Sequence, residues 1–231
     1  MKTAVITGGT GSIGKALVEV FCAEYDVIFT YSENEAAAEE LCRKYHVQCF
    51  KCDLINRGDI QSLLANIKAC DVLVNNAGIS QIKLFTDITD DDWEKMVGTN
   101  LSGAFYLTRG ILPLMIAKKS GAIINISSVW GVCGASCEVH YSAVKAGIIG
   151  MTKALAKEEG PSGITVNAIA PGVIEGRMNS HFTAEERKML IESTPIGRTG
   201  SPYDVAEAAL FLAKASFITG QVLGVDGGFG Q

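Results

Sequence analysis

The sequence predicts an α/β fold built on one doubly wound parallel sheet of about seven strands with helices on both faces. Short runs rich in β-branched residues alternate along the chain with longer segments that have helical periodicity. The short runs are apolar throughout, which is typical of parallel strands covered on both faces. The segments between them are long enough for the crossover connections that parallel neighbours require.

The strands are predicted from apolar runs that polar or turn-forming residues bound on both sides. In chain order they read TAVIT, VIFTY, VQCFKC, DVLVNN, GAIINISS, GITVNAIA and QVLGVDGG. The helices are predicted where apolar residues recur three and four positions apart. In chain order they read KALVEVFCAEY, ENEAAAEELCRKY, DIQSLLANIKA, DDWEKMVGTNLSGAFYLTRGILPLMIAKK, HYSAVKAGIIGMTKALAKEEG and PYDVAEAALFLAKA.

Nothing in the sequence divides this alternation into separate units. There is no repeat, no low-complexity segment and no long linker rich in proline and glycine. We therefore expect a single domain over residues 1–231. The least regular stretch, residues 173–202, includes a helical patch and is interpreted as a lid over a substrate.

The composition argues against several classes of function. With 20 Lys and Arg against 25 Asp and Glu, the net charge is −5, and no basic stripe for nucleic acid is present. No apolar run approaches the length of a membrane span, so we expect no membrane contact. The first residues read as an apolar strand and not as an export signal, and we expect a cytoplasmic protein.

The cysteines and histidines do not indicate a metal site. The 7 cysteines, an odd number, are scattered along the chain and are interpreted as free thiols. Cys49 and Cys52 form a C-x-x-C pair, yet no second pair and no suitably spaced histidines complete a zinc site. His46, His140 and His181 are too dispersed for a cluster, and we expect structural or solvent-facing roles for them.

A glycine-rich turn, TGGTGSIGKAL, connects the first strand to the first helix. Glycine lets backbone approach a diphosphate closely, and the free N–H groups of a helix N-terminus bind anions. A tight turn without a ligand would use the same glycines. Taken with its place between strand and helix, the turn predicts a Rossmann-type sheet that binds a dinucleotide.

Polar residues gather at the ends of the other predicted strands. In an open parallel sheet the carboxyl ends of the strands line the ligand crevice, so these side chains are expected to meet there. They are Tyr31, Ser32, Asp53, Asn75, Asn76, Ser127, Ser128, Pro171 and Gly172. Turn chemistry explains any one of them, but it has to be invoked separately at every strand.

A phenol and an ammonium share one helical face in YSAVK, where Tyr141 and Lys145 are four residues apart. A phenol has a pKa near 10 and exchanges protons poorly at neutral pH. A cation nearby favours the phenolate, so we expect Lys145 to lower the pKa of Tyr141. The pair predicts acid–base chemistry on this helix.

The chain resembles the short-chain dehydrogenase/reductase family over essentially its whole length. The matching features are Thr7-Gly8, Asp53-Leu54, the run from Asn75 to Gly78, Asn100, Ser128, Tyr141 with Lys145, Pro171-Gly172 and the run from Val225 to Gly228. The segments ISSVWG, YSAVKAG, ITVNAIAPG and ITGQVLGVDGG are most similar to 3-oxoacyl-[acyl-carrier-protein] reductases. The resemblance implies an NAD(P)-binding Rossmann domain that reduces a ketone to a secondary alcohol. The implied reaction converts 3-oxoacyl-[acyl-carrier-protein] to its 3-hydroxyacyl product in fatty acid synthesis.

The resemblance also implies roles for individual residues. Tyr141 would exchange a proton with the substrate carbonyl, and Ser128 would donate a hydrogen bond to the same oxygen. Lys145 would also bind the nicotinamide ribose, and Asn100 would hold a water that relays protons to Lys145. No metal is implied. Besides Tyr141 and Lys145, the implied cofactor-binding residues are Gly8, Thr10, Gly11, Ser12, Ile13, Gly14, Tyr31, Ser32, Asp53, Leu54, Asn76, Ala77, Gly78, Pro171, Gly172 and Ile174.

The sequence departs from the family pattern at two places near this site. Ser12 stands where the turn T-G-x-x-x-G-x-G has its second glycine, and we expect the neighbouring Gly11 to absorb the strain. Gly176 stands where many members have a threonine that holds the nicotinamide carboxamide. The ordering of the lid is therefore expected to differ.

The preference for one cofactor depends on the end of the second strand. An acid there would bind the ribose 2′-hydroxyl of NAD and repel the 2′-phosphate of NADP. This chain has Tyr31 and Ser32 instead, which favours NADP(H). Glu33 is close, and Gly11 replaces a basic residue that is frequent in NADPH-preferring relatives, so NAD(H) remains an alternative.

A carrier protein is acidic and would need basic residues beside the crevice. Lys118 and Lys119 match one basic site of the carrier-protein reductases, whereas Ser162 replaces the second. These lysines are equally typical of a solvated helix end. The resemblance, the apolar helix AFYLTRGILPLMIA and the last strand together predict a homotetramer.

Two other functions remain open at this point. One is the oxidation or reduction of another small alcohol, sugar or steroid, which the lid would distinguish. The other is a non-catalytic, nucleotide-binding regulator. The joint presence of Asn100, Ser128, Tyr141 and Lys145 argues against the regulator, because such a protein has no chemical need for all four.

Overall fold

The computed structural model describes residues 1–180 and 182–230, and a sheet of seven parallel strands in the order β3-β2-β1-β4-β5-β6-β7 forms its centre. The strands are β1 Lys2–Ile6, β2 Tyr25–Tyr31, β3 Gln48–Lys51, β4 Val72–Asn75, β5 Gly121–Ile126, β6 Ile164–Pro171 and β7 Val222–Val225. The strand order reverses at β1, so β2 and β4 lie on opposite sides of it. Such a reversal opens a crevice at the carboxyl ends of the strands.

Helices cover both faces of the sheet. They are α1 Ser12–Phe21, α2 Glu35–Tyr45, α3 Arg57–Asn66, α4 Asp90–Val97, α5 Gly103–Lys118, α6 Trp130–Cys133, α7 Val139–Glu159, α8 Ala184–Glu192 and α9 Pro202–Lys214. Strand residues alternate between two cores: Ile6 packs with α1 and α9, whereas the adjacent Val5 packs with α3 and α5. Because both neighbours are fully buried, the strands read as apolar throughout, and the predicted fold class is confirmed.

The long helix predicted across residues 91–119 is interrupted. Helix α4 ends at Val97, residues Gly98–Ser102 form a π-helical turn, and α5 begins at Gly103. The apolar periodicity continues through the interruption, which is why the sequence pattern did not reveal it. A π-helical turn re-aims the side chains that it carries and frequently marks a functional site.

A buried chain of hydrogen bonds fixes α5 and α7 to the sheet. The Asn75 amide at the end of β4 donates to Thr108 of α5 at 2.9 Å and to the Asn125 side chain of β5 at 2.8 Å. The Asn125 amide donates in turn to the Thr152 hydroxyl of α7 at 2.9 Å. Polar groups without water interact strongly and directionally, so this chain sets how α7 lies on β5.

The described residues contain neither a membrane-spanning helix nor a metal-binding cluster. None of the helices there combines the length and the apolar character needed to cross a membrane. No group of three or more His, Cys, Asp or Glu side chains in the same part of the chain is placed to hold a metal ion. The seven cysteines are free.

We predict that Asn125→Ala lowers the free energy of unfolding by about 2 kcal/mol, because it removes two buried hydrogen bonds and leaves their partners without water. Urea unfolding of the wild type and the variant measures the difference. Asn66→Ala is the matched control, because its amide bonds only to the carbonyl oxygen of Ser62 on the surface. Equal losses in the two variants would show that the buried chain contributes nothing specific.

Candidate active site

The turn between β1 and α1 is held by the segment that follows β4. The Thr7 hydroxyl accepts hydrogen bonds from the backbone N–H groups of Asn76 and Ala77, both at 2.9 Å. The Asn76 side chain donates to the carbonyl oxygen of Thr7 at 2.8 Å. A Cβ at Gly14 would lie 2.0 Å from the carbonyl oxygen of Gly8, so this close turn requires glycine. The residues predicted at 8–14 and 76–78 therefore meet.

The first turn of α1 fits the diphosphate of a dinucleotide. Gly11 caps the helix without a side-chain hydrogen bond, and the first turn contains no acidic residue. The first amides of a helix have no intrahelical acceptors, and its dipole favours negative charge there. Backbone N–H groups are therefore available to an anion where the sequence predicted one.

Ser128, Tyr141 and Lys145 come together between the end of β5 and the first turns of α7. Ser128 adjoins the Tyr141 hydroxyl, and its side chain acts to lower the pKa of Tyr141. The Lys145 ammonium donates to the carbonyl oxygen of Ile126, the last residue of β5, at 2.9 Å. The ammonium lies 5.6 Å from the centre of the Tyr141 ring. Two hydroxyl groups and a cation thus share the carboxyl edge of the sheet.

Asn100 lies in the π-helical turn and clamps the segment after β4. Its Oδ1 accepts from the Ile79 backbone N–H at 2.9 Å, and its Nδ2 donates to the Ile79 carbonyl oxygen at 3.0 Å. A Cβ at Gly78 would lie 2.4 Å from Asn100 Oδ1 and 3.4 Å from the Lys145 ammonium, so the three residues adjoin. Both polar atoms of the Asn100 side chain are thus bonded to Ile79, and the relay water stays a prediction.

Burial dominates the ionisation of the tyrosine and the lysine. Tyr141 is 7% exposed, and burial raises its pKa to about 12, although Ser128 acts to lower it. Lys145 is 4% exposed, and burial lowers its pKa to about 8. The expectation that Lys145 lowers the pKa of Tyr141 is therefore wrong for the protein by itself. Removing water destabilises the phenolate by more free energy than the neighbouring groups contribute to stabilising it.

At the end of β2 the tyrosine does not face the crevice. Tyr31 is 8% exposed and packs with the core on the α1 and α9 face of the sheet. Ser32 is the first exposed residue after the strand. At the end of β3, Asp53 accepts the backbone N–H of Ile55 at 3.1 Å, and Leu54 is buried. Two of these predicted cofactor residues, Tyr31 and Leu54, are therefore buried and support the strand ends that carry the site.

The segment after β6 leads into the predicted lid. The Gly172 N–H donates to the Val225 carbonyl oxygen of β7 at 3.1 Å, and Ile174 is buried. The ends of the lid meet, because the Gly200 N–H donates to Val173 at 2.9 Å and Ile174 pairs with Gly200 in a parallel bridge. Between them lie a 3₁₀ turn, Arg177–Asn179, and α8.

Lys118 is engaged away from the crevice. Its ammonium forms an ion pair with Asp71 and donates to the carbonyl oxygen of Cys70. Asp71 immediately precedes β4, so this contact lies at the amino end of the strands, opposite Tyr141. Lys119 caps the end of α5. Within one protomer neither lysine is placed to orient a carrier protein at the site.

Sequence reasoning missed a hydrogen-bonded chain beside Tyr141. His140 is 1% exposed, and its Nε2 lies 2.9 Å from Oε1 of Gln81. The Gln81 amide donates to Asp92 of α4 at 2.8 Å, and Asp92 forms an ion pair with Lys83 at 2.6 Å. These hydrogen bonds fix the position of His140, which is next to Tyr141 in the sequence.

In the sequence, the one sign of these hydrogen bonds was that a histidine, His140, is adjacent to Tyr141. The structural role expected of His140 agrees with its burial, and burial also lowers its pKa. His46 lies at the end of α2 in a left-handed conformation. His181 is outside the described residues.

We predict that Lys145→Met raises the free energy of unfolding at pH 7 by about 2 kcal/mol, because it removes a cation whose pKa burial lowers to about 8. The advantage should shrink as pH rises from 8 towards the unfolded pKa of 10.5, since the folded wild type releases its proton first and gains stability over that range. Urea unfolding at pH 7 and pH 9.5 measures both effects.

The exposed Lys153 on the same helix supplies the control for this prediction, because Lys153→Met removes a solvated charge. That variant should differ from the wild type by less than about 0.5 kcal/mol at both pH values. A Lys145→Met protein that is less stable than the wild type at pH 7 would contradict the prediction.

Comparison with known proteins places the chain in a family. The family model described as Enoyl-(Acyl carrier protein) reductase matches residues 8–230. A Bacillus subtilis (strain 168) protein named Uncharacterized oxidoreductase YmfI is 41% identical over 99% of this chain and 98% of its own length. The 3-oxoacyl-[acyl-carrier-protein] reductase FabG of Aquifex aeolicus (strain VF5) is 42% identical over 98% of this chain and 96% of its own.

Solved structures agree with the sequence relatives. A 3-oxoacyl-[acyl-carrier protein] reductase from Brucella melitensis ATCC 23457 has a TM-score of 0.92 at 34% identity, covering 100% of this chain and 91% of that one. A structure described as ElxO with NADP Bound has a TM-score of 0.90 at 33% identity, covering 99% and 98%. With its glycine-rich turn and its Ser128, Tyr141 and Lys145 cluster on this sheet, the chain belongs to the short-chain dehydrogenase/reductase family of NAD(P)-dependent oxidoreductases.

Proposed function

We propose that the protein is an NADP(H)-dependent ketoreductase whose most suitable substrate is a 3-oxoacyl thioester on an acyl carrier protein. The observation that carries the proposal is that Ser128 adjoins the Tyr141 hydroxyl, while the Lys145 ammonium lies 5.6 Å from the centre of the tyrosine ring and bonds to the end of β5, on the sheet that carries the dinucleotide turn. Two hydroxyl donors at one place suit a single carbonyl oxygen. A bound nicotinamide would supply the hydride for the carbonyl carbon.

Tyr141 donates the proton that the carbonyl oxygen needs. Because burial holds the pKa of Tyr141 at about 12, the phenol is protonated at neutral pH before substrate arrives. Ser128 donates a hydrogen bond to the same oxygen and stabilises the negative charge that develops there. The site without substrate therefore already holds the proton that reduction of a ketone requires.

Lys145 stabilises the phenolate that remains after the proton has left. With a pKa of about 8 the amine is mainly charged at pH 7, and its ammonium lies 5.6 Å from the centre of the Tyr141 ring. Asn100 acts as a positioning residue, because its clamp on Ile79 fixes the segment that adjoins the ammonium. In the resting protein burial governs the tyrosine pKa, and the lysine acts once negative charge appears on the phenol.

The preference for NADP(H) is supported at the end of β2. No acid follows the strand directly, Tyr31 is turned into the core, and Ser32 is exposed. Lys51 of β3 is in register with Tyr31 and is exposed, so a cationic residue lies on the strand beside the end of β2. The related ElxO structure contains NADP. Glu33, also exposed, keeps NAD(H) as the alternative.

Names of relatives support a carrier-bound substrate, whereas the lysines of this chain do not. The Aquifex and Brucella proteins are named 3-oxoacyl-[acyl-carrier-protein] reductases. In this chain Lys118 is paired with Asp71, and Ser162 stands where a second basic residue was expected. This favours a second candidate, the reduction of a smaller carbonyl compound or a free thioester by the same residues.

Assembly and location are further parts of the proposal. A homotetramer is supported by apolar side chains that remain exposed on α4 and α5, among them Trp93, Phe105 and Ile116. A cytoplasmic location is supported by the seven free cysteines, which suit a reducing compartment.

The function is tested by following NADPH oxidation with acetoacetyl thioesters of coenzyme A and of a carrier protein. We expect turnover, with Tyr141→Phe lowering kcat by about 10²–10⁴ and leaving NADPH affinity unchanged, because only the proton donor is lost. Ser128→Ala should lower kcat by about 10². Tyr203→Phe is the control, because this exposed phenol bonds to Glu19 on the surface.

Four outcomes separate the candidate functions. A preference for the carrier thioester supports the role in fatty acid synthesis, whereas equal rates on both thioesters favour the second candidate. Turnover of crotonyl thioester in place of acetoacetyl thioester would replace ketone reduction by enoyl reduction. NADPH binding without turnover of any carbonyl compound would leave a nucleotide-binding regulator and overturn the proposal.

A further inference from the structure

The two residues that depart from the family pattern lie against each other. Ser12 is the first residue of α1, and Gly176 precedes the 3₁₀ turn Arg177–Asn179 of the lid. They are far apart in the chain, yet a Cβ at Gly176 would lie 2.3 Å from the Ser12 hydroxyl oxygen and 2.5 Å from Ser12 Cβ. No side chain fits at 176 while Ser12 is in this position.

The contact is bonded as well as close. The Arg177 backbone N–H donates to the Ser12 hydroxyl oxygen at 3.2 Å. Gly176 stands at the N-cap of the lid turn and has no side chain with which to cap it. Ser12 therefore supplies, from another element, the oxygen that an N-cap residue ordinarily provides from its own side chain.

Two other hydrogen bonds of the lid turn are formed within the lid itself. The Asn179 side chain donates to the carbonyl oxygen of Ile174 at 2.7 Å, and its N–H donates to Gly176 at 3.1 Å. The Ser12 hydroxyl thus joins this small unit to the helix end that fits the diphosphate. The hydroxyl proton has no acceptor within the described part of the chain and is available to an anion at that end.

We propose that Ser12 is a positioning residue that latches the lid onto the nucleotide-binding turn, and that Gly176 is glycine because Ser12 occupies its side-chain space. The hydroxyl accepts the Arg177 N–H and donates its own proton to the diphosphate of the bound nucleotide. Closure of the lid and binding of the nucleotide are thereby coupled through one side chain. The nucleotide part rests on the proposed function, whereas the latch itself does not.

The apo protein tests the latch directly. In Ser12→Ala, hydrogen exchange at the Arg177 amide should become about three- to tenfold faster, because one hydrogen bond is lost and the Cβ is kept. Amides of α8 serve as the internal control. Unchanged exchange at Arg177 would overturn the latch, whether or not the protein binds any nucleotide.

A double-mutant cycle tests the steric coupling. Gly176→Ala should unfold at lower urea concentration than the wild type, because its Cβ meets Ser12 and its φ of +148° is strained for other residues. Adding Ser12→Gly should recover part of this loss, since it removes both atoms that the new Cβ meets. Adding Ser12→Ala should recover less than Ser12→Gly, since it removes the hydroxyl oxygen but keeps the Cβ at 2.5 Å. Additive losses in both double variants would overturn the coupling.

A second glycine of the same lid provides the matched control for the cycle. Gly197 has a φ of +73°, and a Cβ there would meet nothing within 4 Å. Gly197→Ala should therefore lower stability through backbone strain, and adding Ser12→Gly should recover none of that loss. Equal recovery at both glycines would mean that Ser12→Gly acts on general stability and would overturn the pairing. Should Gly176→Ala fail to fold, soluble Ser12→Gly/Gly176→Ala protein supports the pairing and failure of both opposes it.

Nucleotide binding tests the last step. NADPH fluorescence titration should give a dissociation constant about tenfold higher for Ser12→Ala than for the wild type, because a hydrogen bond to a charged group is lost. An unchanged constant would overturn the contact with the diphosphate and leave the latch standing. Wild-type protein that binds no NADPH would overturn the proposed function, and the exchange measurement in the apo protein would still decide the latch.

Discussion

The site depends on one buried cation. Lys145 lies on α7 facing the end of β5, and its ammonium reaches the Ile126 carbonyl oxygen instead of water. Burying a charge is unfavourable, so the surrounding structure has to hold it there. Ser127 donates to the Lys145 carbonyl oxygen at 2.9 Å, and Asn125 holds the same helix through Thr152. Burying Lys145 lowers the stability of the fold, and in this position the residue provides a positive charge beside Tyr141.

Backbone groups do much of the positioning around this cation. The π-helical turn aims Asn100 at both backbone groups of Ile79, and Thr7 holds the N–H groups of Asn76 and Ala77. The segment after β4 is thus fixed between the nucleotide turn and Lys145. Asn100 can therefore influence the reaction through Ile79, because it fixes the segment that adjoins the Lys145 ammonium.

The resting electrostatics favour a proton donor. Desolvation keeps the Tyr141 phenol protonated, and the same desolvation brings the lysine pKa close to neutrality. Two groups whose charged forms both suffer from burial do not ionise as an ion pair by themselves. The lid and the nucleotide turn are joined at Ser12, which accepts the Arg177 N–H.

The sequence by itself determined the parallel sheet, the nucleotide turn and the pairing of Tyr141 with Lys145, because apolar runs, glycine spacing and helical spacing are local properties of the chain. Ser128 was joined to this pair by the family resemblance. Tertiary structure alone decided the rest. It broke the predicted long helix at Gly98, turned Tyr31 into the core, paired Lys118 with Asp71 and set Ser12 against Gly176. It also reversed the expected shift of the Tyr141 pKa, because dehydration depends on every element packed around a group and not on its neighbours in the chain.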